Sequence, residues 1–356
     1  MPTIIIEHIK LFLYLYKIMI RTISTAFIIS LLFFASCGND TGKSGEAATT
    51  DSAAASAPAE LKAINAEILA NPGNPGLYHK RAKYYLANRS FDEGLADMGR
   101  VMNLDSTKAE YFLTLSDLYF SVNQSGNAKV ALEKAITLDP KNTDAILKLA
   151  ELYLYVNKSD KSIEYINQAL KIDQYNAKAY FMKGMNYKDL KDTAKAISSM
   201  QTAVEQDQQY YNAYMQLGIL CAGKRDPIAV DYYRNALRIQ PKSVEAWYAL
   251  GKYYQDVQDW NNAIGTYTTL LKFDNNKNAM YNLGVINLLE LKAYNKALEY
   301  FTGAINVDPK YVEAYYGRGV CYQQMKDPKK AAAEFETCLS INAEYEPARR
   351  SLSQLK

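Results

Sequence analysis

Imidazoles and thiols are the groups whose chemistry is most easily switched on near neutral pH, and this chain of 356 residues has few of them: His8, His79, Cys37, Cys221, Cys321 and Cys338. A Ser-His-Asp or Cys-His arrangement would have to be built on His79, since His8 falls in an apolar leader, and the sequence places no nucleophile for it. No CxxC pair, HExxH run or cluster of ligand-type residues has the spacing of a metal site. Gly38-Asn39-Asp40-Thr41-Gly42-Lys43-Ser44 imitates a phosphate-binding loop, but three residues separate its glycines where the loop needs four. Paired carboxylates could serve as acid and base, yet the acidic residues fall mostly at expected helix ends and on polar faces, where they are solvated. The residues predict no catalytic site, no metal and no cofactor, hence a protein that is not an enzyme.

The chain is built from a repeated unit of about 34 residues. In Trp247-Tyr248-Ala249-Leu250-Gly251-Lys252-Tyr253-Tyr254 a glycine sits inside an apolar helix pattern, with Ala263 twelve residues on and Tyr267 four beyond that. The small residue of this first helix recurs as Ala82, Ser116, Ala150, Gly184, Gly218, Gly251, Gly284 and Gly319, and its partner on the second helix as Gly94, Ala128, Ser162, Ala196, Ala229, Ala263, Ala297 and Ala331. Two helices that cross closely need small side chains at the contact. Corners such as Leu138-Asp139-Pro140 and Val307-Asp308-Pro309 end the second helix. Tyr85, Tyr119, Tyr153, Tyr187, Tyr254 and Tyr322 are expected to fill the wedge between helices. The fifth unit lacks one residue near Asp226-Pro227, and the seventh gains one before Tyr294.

This pattern resembles the tetratricopeptide repeat (TPR). The resemblance covers about three quarters of the chain and implies an all-α fold: a right-handed α-solenoid of about eight helix pairs over residues 75–345, its first helices lining a concave groove that binds peptides or partner proteins. An N-terminal capping helix is expected at 60–74 and a polar C-terminal capping helix at 346–356.

Residues 1–36 read as a targeting segment. Arg21 precedes an apolar run from Ala26 to Ala35, which ends at Phe34-Ala35-Ser36-Cys37. With its cysteine directly after Ala-Ser, the segment is similar to a bacterial lipoprotein signal peptide, although Phe34 stands where leucine is usual. That similarity implies lipidation of Cys37, a membrane partner through the lipid anchor, and residence in the cell envelope, by default at the outer membrane facing the periplasm. Met19 is an alternative start, and an uncleaved anchor is the competing reading, though the run falls short of the ~20 residues a span needs. Residues 37–59, rich in Gly, Ser, Thr and Ala, form a flexible tether. Cys221, Cys321 and Cys338 read as small buried hydrophobes, with a Cys321–Cys338 disulfide as the alternative.

The groove positions implied by the resemblance are three before, one after and five after the small residue. At the first two, early units mix charge and leucine; from the fourth on come Phe181, Met185, Met215, Ile219, Tyr248, Lys252, Tyr281 and Tyr316, expected to bind protein or peptide partners and, Lys252 apart, to form one apolar strip. The competing expectation is that the superhelix seals this row. The lysine–asparagine set with which some relatives clamp a terminal carboxylate is missing. A formal charge of +3, with no basic stripe, argues against nucleic acid. The favoured function is a lipid-anchored scaffold or adaptor; the alternative is a glycan-binding lipoprotein that uses the groove tyrosines as platforms.

Overall fold

The computed structural model describes residues 58–355, and every regular element among them is an α-helix. After α1 (Ala59–Ala70) come eight pairs: α2 (Pro75–Ala87) with α3 (Phe91–Leu104), α4 (Ala109–Ser121) with α5 (Ser125–Leu138), α6 (Thr143–Tyr155) with α7 (Ser159–Ile172), and α8 (Ala177–Asp189) with α9 (Thr193–Gln206). The series continues with α10 (Tyr211–Ala222) and α11 (Ala229–Ile239), α12 (Val244–Asp256) and α13 (Trp260–Leu270), α14 (Lys277–Leu289) and α15 (Tyr294–Val307), and α16 (Val312–Gln324) and α17 (Pro328–Ile341), closed by α18 (Glu346–Gln354). Each helix packs chiefly on the one before and the one after it, which makes the array a solenoid. Among the described residues no helix is long and apolar enough to cross a membrane. The leader, Cys37 and the tether up to residue 57 lie outside the described residues.

Local chemistry sets the helix ends. Asn142, Asn176, Ser243 and Asn276 each accept a hydrogen bond from a backbone N–H in the first turn of α6, α8, α12 and α14, satisfying a donor the helix cannot. Every turn within a pair holds one non-glycine residue in the left-handed region, from Arg89 to Lys326, with φ between 51° and 63°. The next N–H then reaches back to a carbonyl near the end of the first helix, a tyrosine's in six of the eight turns, as Lys158 does to Tyr153 and Asp259 to Tyr254, both at 2.8 Å, which closes a Schellman-type cap. The two irregular units keep this plan. In the fifth, the missing residue is taken from the first turn of α11, which starts only at Ala229. In the seventh, the extra residue is absorbed in the turn, where the Ala293 N–H reaches Asn287 at 2.8 Å.

The core runs along the array as a row of large side chains from the second helices: Met98, Leu132, Ile166, Met200, Tyr233, Tyr267, Phe301 and Phe335, all buried. Each stands about four residues beyond the small partner residue on its helix, beneath the small residue of the first helix. A methyl group added to Gly251 would lie 2.6 Å from the Tyr267 ring, and one added to Gly319 would lie 2.6 Å from Phe335. Where the small residue is Ala or Ser, as at Ala82, Ser116 and Ala150, the side chain beneath is aliphatic or methionine; ring-bearing side chains occur only under glycine.

This corrects the expectation about the tyrosine wedge. Tyr153 and Tyr254 are buried, but Tyr85, Tyr119, Tyr187 and Tyr322 are only half-buried at the turn, with Lys195 and Lys330 each 5.3 Å from the ring centres of Tyr187 and Tyr322. They lie beside the helix contact, while the sealed position belongs to the second helix.

The glycine and the ring should therefore behave as one unit. Gly251→Ala is expected to destabilise the protein by ~1–3 kcal/mol through overpacking. Gly265→Ala, on α13 with nothing within 4 Å of the added methyl, should gain about 0.5–1 kcal/mol from helix propensity. Tyr267→Leu should recover part of the loss when combined with Gly251→Ala. Urea unfolding of the four proteins reads all three effects, and equal stability of the two alanine variants would refute the packing described.

Candidate functional site

Successive first helices touch one another, α2 with α4, α6 with α8, α10 with α12, and α14 with α16, whereas no comparable contact joins successive second helices. The array therefore curves with its first helices inside. Side chains bridge these helices along the inner face. Lys148 reaches Asp117 at 2.6 Å, Lys188 reaches the Gln216 side-chain oxygen at 2.8 Å, and the Asn282 amide donates to the Tyr248 hydroxyl at 3.4 Å.

The expected strip divides into two kinds of residue. Phe181, Tyr248, Tyr281 and Tyr316 are half-buried, and all but Tyr248 lie against a ring at the start of the next unit. Phe181 lies 5.0 Å from Tyr210, Tyr281 lies 5.3 Å from Tyr311, and Tyr316 lies 5.7 Å from Tyr345, centre to centre. The same row also rests on the core, with Tyr248 at 5.9 Å from Tyr267 and Tyr281 at 5.8 Å from Phe301. Met215 departs from the strip. It is 2% exposed and belongs to the core, so the apolar row is not continuous at the surface. The open surface comes from the second row: Ile219 is 39% exposed, Met185 is half-buried, and Lys252 is exposed in an ion pair with Asp256.

Sequence reasoning missed the rings that cap the inner row. Tyr210, Tyr311 and Tyr345 each stand just before a helix, eight residues before the small position where that position exists. That recurrence is the signal that could have found them. It also missed the hydrogen bonds beneath Tyr248: the Asn282 amide donates to the Tyr267 hydroxyl at 2.9 Å, and that hydroxyl donates to the Gln255 side-chain oxygen at 3.0 Å. These amides are spent inside the protein.

His79 has an unexpected companion. Its Nε2 lies 2.8 Å from the Thr114 hydroxyl on the next inner helix, and its ring meets Tyr111 edge-on at 4.8 Å. At 5% exposure the pair joins the first two units. Burial, assisted by Lys83, pushes the His79 pKa down to about 4. Cys221, Cys321 and Cys338 are separate buried thiols, so the pairing of Cys321 with Cys338 does not occur; burial raises Cys321 to about 12 and leaves it unreactive. Among the described residues no group of three or more His, Cys, Asp or Glu is placed to hold a metal ion.

Sequence profiles of the tetratricopeptide repeat match residues 119–183 and 288–355, 177–210, and 248–306, together more than half of the chain. A DnaJ homolog subfamily C member 7 homolog of Dictyostelium discoideum is 23% identical over 146 residues, which is 36% of this chain and 27% of that protein. A UDP-N-acetylglucosamine–peptide N-acetylglucosaminyltransferase of Giardia intestinalis is 35% identical over 63 residues, 17% of this chain and 4% of that protein. The chain thus matches less than a third of the length of either curated relative. Among solved structures, a tetratricopeptide repeat protein from Parabacteroides merdae is 15% identical with a TM-score of 0.46, over 69% of this chain and 98% of that one. YrrB, described as a TPR protein with an unusual peptide-binding site, is 19% identical with a TM-score of 0.38, over 63% of this chain and 98% of that one.

The burial of His79 gives the first units a pH signature. A histidine held neutral by folding binds fewer protons folded than unfolded, so its stabilisation is complete above the unfolded value near 6.5 and is lost as pH falls towards about 4. The stability of wild type relative to His79→Gln should fall between pH 7 and pH 4 by on the order of 2–3 kcal/mol. Hydrogen exchange resolved over residues 75–138 measures it; parallel pH profiles for the two proteins would contradict the assignment.

Proposed function

The chain belongs to the tetratricopeptide repeat family, and from that premise we propose that it is a non-enzymatic scaffold whose inner face holds a protein or peptide partner. The observation that carries this reading is the pair Met185 and Ile219 on neighbouring inner helices, apolar, accessible at mid-array, and underlain by the packed row of Phe181 and Tyr248. An accessible apolar patch on a rigid concave wall gains free energy when covered, and methionine adapts its shape to varied partners. The half-buried tyrosines supply the rigid floor. A glycan platform would need open rings beside free amides, and the amides near Tyr248 are occupied by phenols.

The scaffold is lipid-anchored in the cell envelope on this reading. Its support is the run Phe34-Ala35-Ser36-Cys37 after Arg21, together with a Gly-, Ser-, Thr- and Ala-rich stretch before α1. The outer membrane, facing the periplasm, is the default address for such a segment when glycine follows the cysteine.

Two outcomes test these statements. Met185→Ser with Ile219→Ser should weaken capture of partners found by crosslinking in intact cells by about tenfold or more, with helix content unchanged. Tyr254→Ser, buried near the turn, should instead lower stability first; full capture by the double variant would move the binding surface elsewhere. Labelled palmitate should enter the wild type and not Cys37→Ala, and unchanged labelling and membrane attachment in that variant would remove the anchor from the account.

A further inference from the structure

The inner face carries carboxylates that the protein does not engage in ion pairs. Glu110, Asp144, Glu245 and Glu313 stand six residues before the small residue of their helices, a spacing that puts them on the same stripe as the two groove rows. Glu151 joins them from the row one after. None of the five makes an ion pair or a side-chain hydrogen bond among the described residues, whereas Lys148 and Lys252, on the same helices, are taken by Asp117 and Asp256. Lys83 and Lys178 are the uncommitted cations in these rows. Attraction to the positive end of a helix accounts for an acid in the first turn, but it does not choose the side on which that acid stands. The balance here is acidic, in a chain whose overall charge is +3.

Glu313 differs from the other four in its surroundings. It is half-buried near the start of α16. It stands two residues beyond Tyr311, and three before Tyr316, a spacing that makes neighbours on one helix face. Its charge also adds to the upward shift that burial gives the phenols of Tyr281, Tyr311 and Tyr345. Tyr281 and Tyr311 are 5.3 Å apart, and Tyr316 and Tyr345 are 5.7 Å apart. A cation already uses one of these rings: the Lys277 Nζ lies 5.1 Å from the centre of Tyr311. That ammonium is neutralised by Asp308 at 2.5 Å, not by Glu313.

We propose that the inner face takes an extended, basic and apolar segment of a partner protein, with one lysine or arginine side chain seated at Glu313 among Tyr281, Tyr311, Tyr316 and Tyr345. The proposal rests on the groove reading above and adds the partner's charge. An ammonium or guanidinium within about 6 Å of a tyrosine ring is attracted to its face, and a half-buried carboxylate beside the rings strengthens the contact. Met185 and Ile219 would receive apolar side chains of the same segment. The remaining carboxylates would speed encounter and reject acidic segments, an effect that weakens with added salt.

The test uses the full chain and three fluorescein-labelled peptides of about 16 residues, long enough to span roughly 50 Å when extended. One alternates lysine with leucine; the others carry glutamine or glutamate in place of lysine. Fluorescence anisotropy should show the lysine peptide binding at least about tenfold more tightly than the glutamate peptide, and Glu313→Gln should weaken it about tenfold with thermal unfolding unchanged. Equal or tighter binding of the glutamate peptide, no binding of the lysine peptide, or unchanged affinity in Glu313→Gln would each overturn the proposal. If Met185→Ser with Ile219→Ser abolishes capture of cellular partners while Glu313→Gln changes nothing, the groove reading stands and the charge proposal alone falls.

Discussion

A fit of size between two helices governs this protein. Each first helix offers a position with little or no side chain, and each second helix fills it from below with the bulkiest group the gap accepts. Tyr233, Tyr267, Phe301 and Phe335 lie under Gly218, Gly251, Gly284 and Gly319, while Leu132 and Ile166 lie under Ser116 and Ala150. A ring needs the smallest neighbour, and every ring in the row stands under a glycine, although Gly184 stands over Met200. Interiors are close-packed, and a single methyl group at the wrong place is felt. Since each unit touches mainly its neighbours, this local fit repeated eight times is what sustains the array.

The inner face inherits its properties from that fit. The buried ring of one unit supports the half-buried side chain above it, as Tyr267 supports Tyr248 and Phe301 supports Tyr281. A tyrosine just before the next helix closes the other side at Tyr311 and Tyr345. The result is a wall of fixed aromatic side chains, in which accessible apolar surface remains at the more flexible Met185 and at Ile219. A rigid wall bearing a few adaptable contacts binds without first having to order itself, which lowers the entropic cost of association.

Much of the fold was legible in the sequence because its period is long, regular and marked by small residues. The contact positions from Ala82 to Gly319 and from Gly94 to Ala331 could be set in register by spacing alone. The deeper assignments were not legible in the same way. Tyr254 keeps helical spacing to Gly251 and Tyr267 to Ala263, and only the crossing of the two helices decides which one is fully sealed. Met215 and Ile219 are one turn apart on the same helix, and the neighbouring unit covers the first while leaving the second open. Thr114 meets His79 from 35 residues away, a contact that no local pattern encodes. The acidic character of the inner face was present in the letters but scattered over repeats, and it emerged only when the rows were read across helices.

The central claim is that partners are held on the inner face, and a photo-crosslinker placed on each side of one unit tests it most directly. Position 219 lies on the inner face of α10, and position 231 is exposed on α11 of the same unit. With a photoreactive phenylalanine in place of Ile219 or Asp231, irradiation of intact cells should give partner adducts from 219 and none from 231. Adducts from 231 with none from 219 would contradict the account.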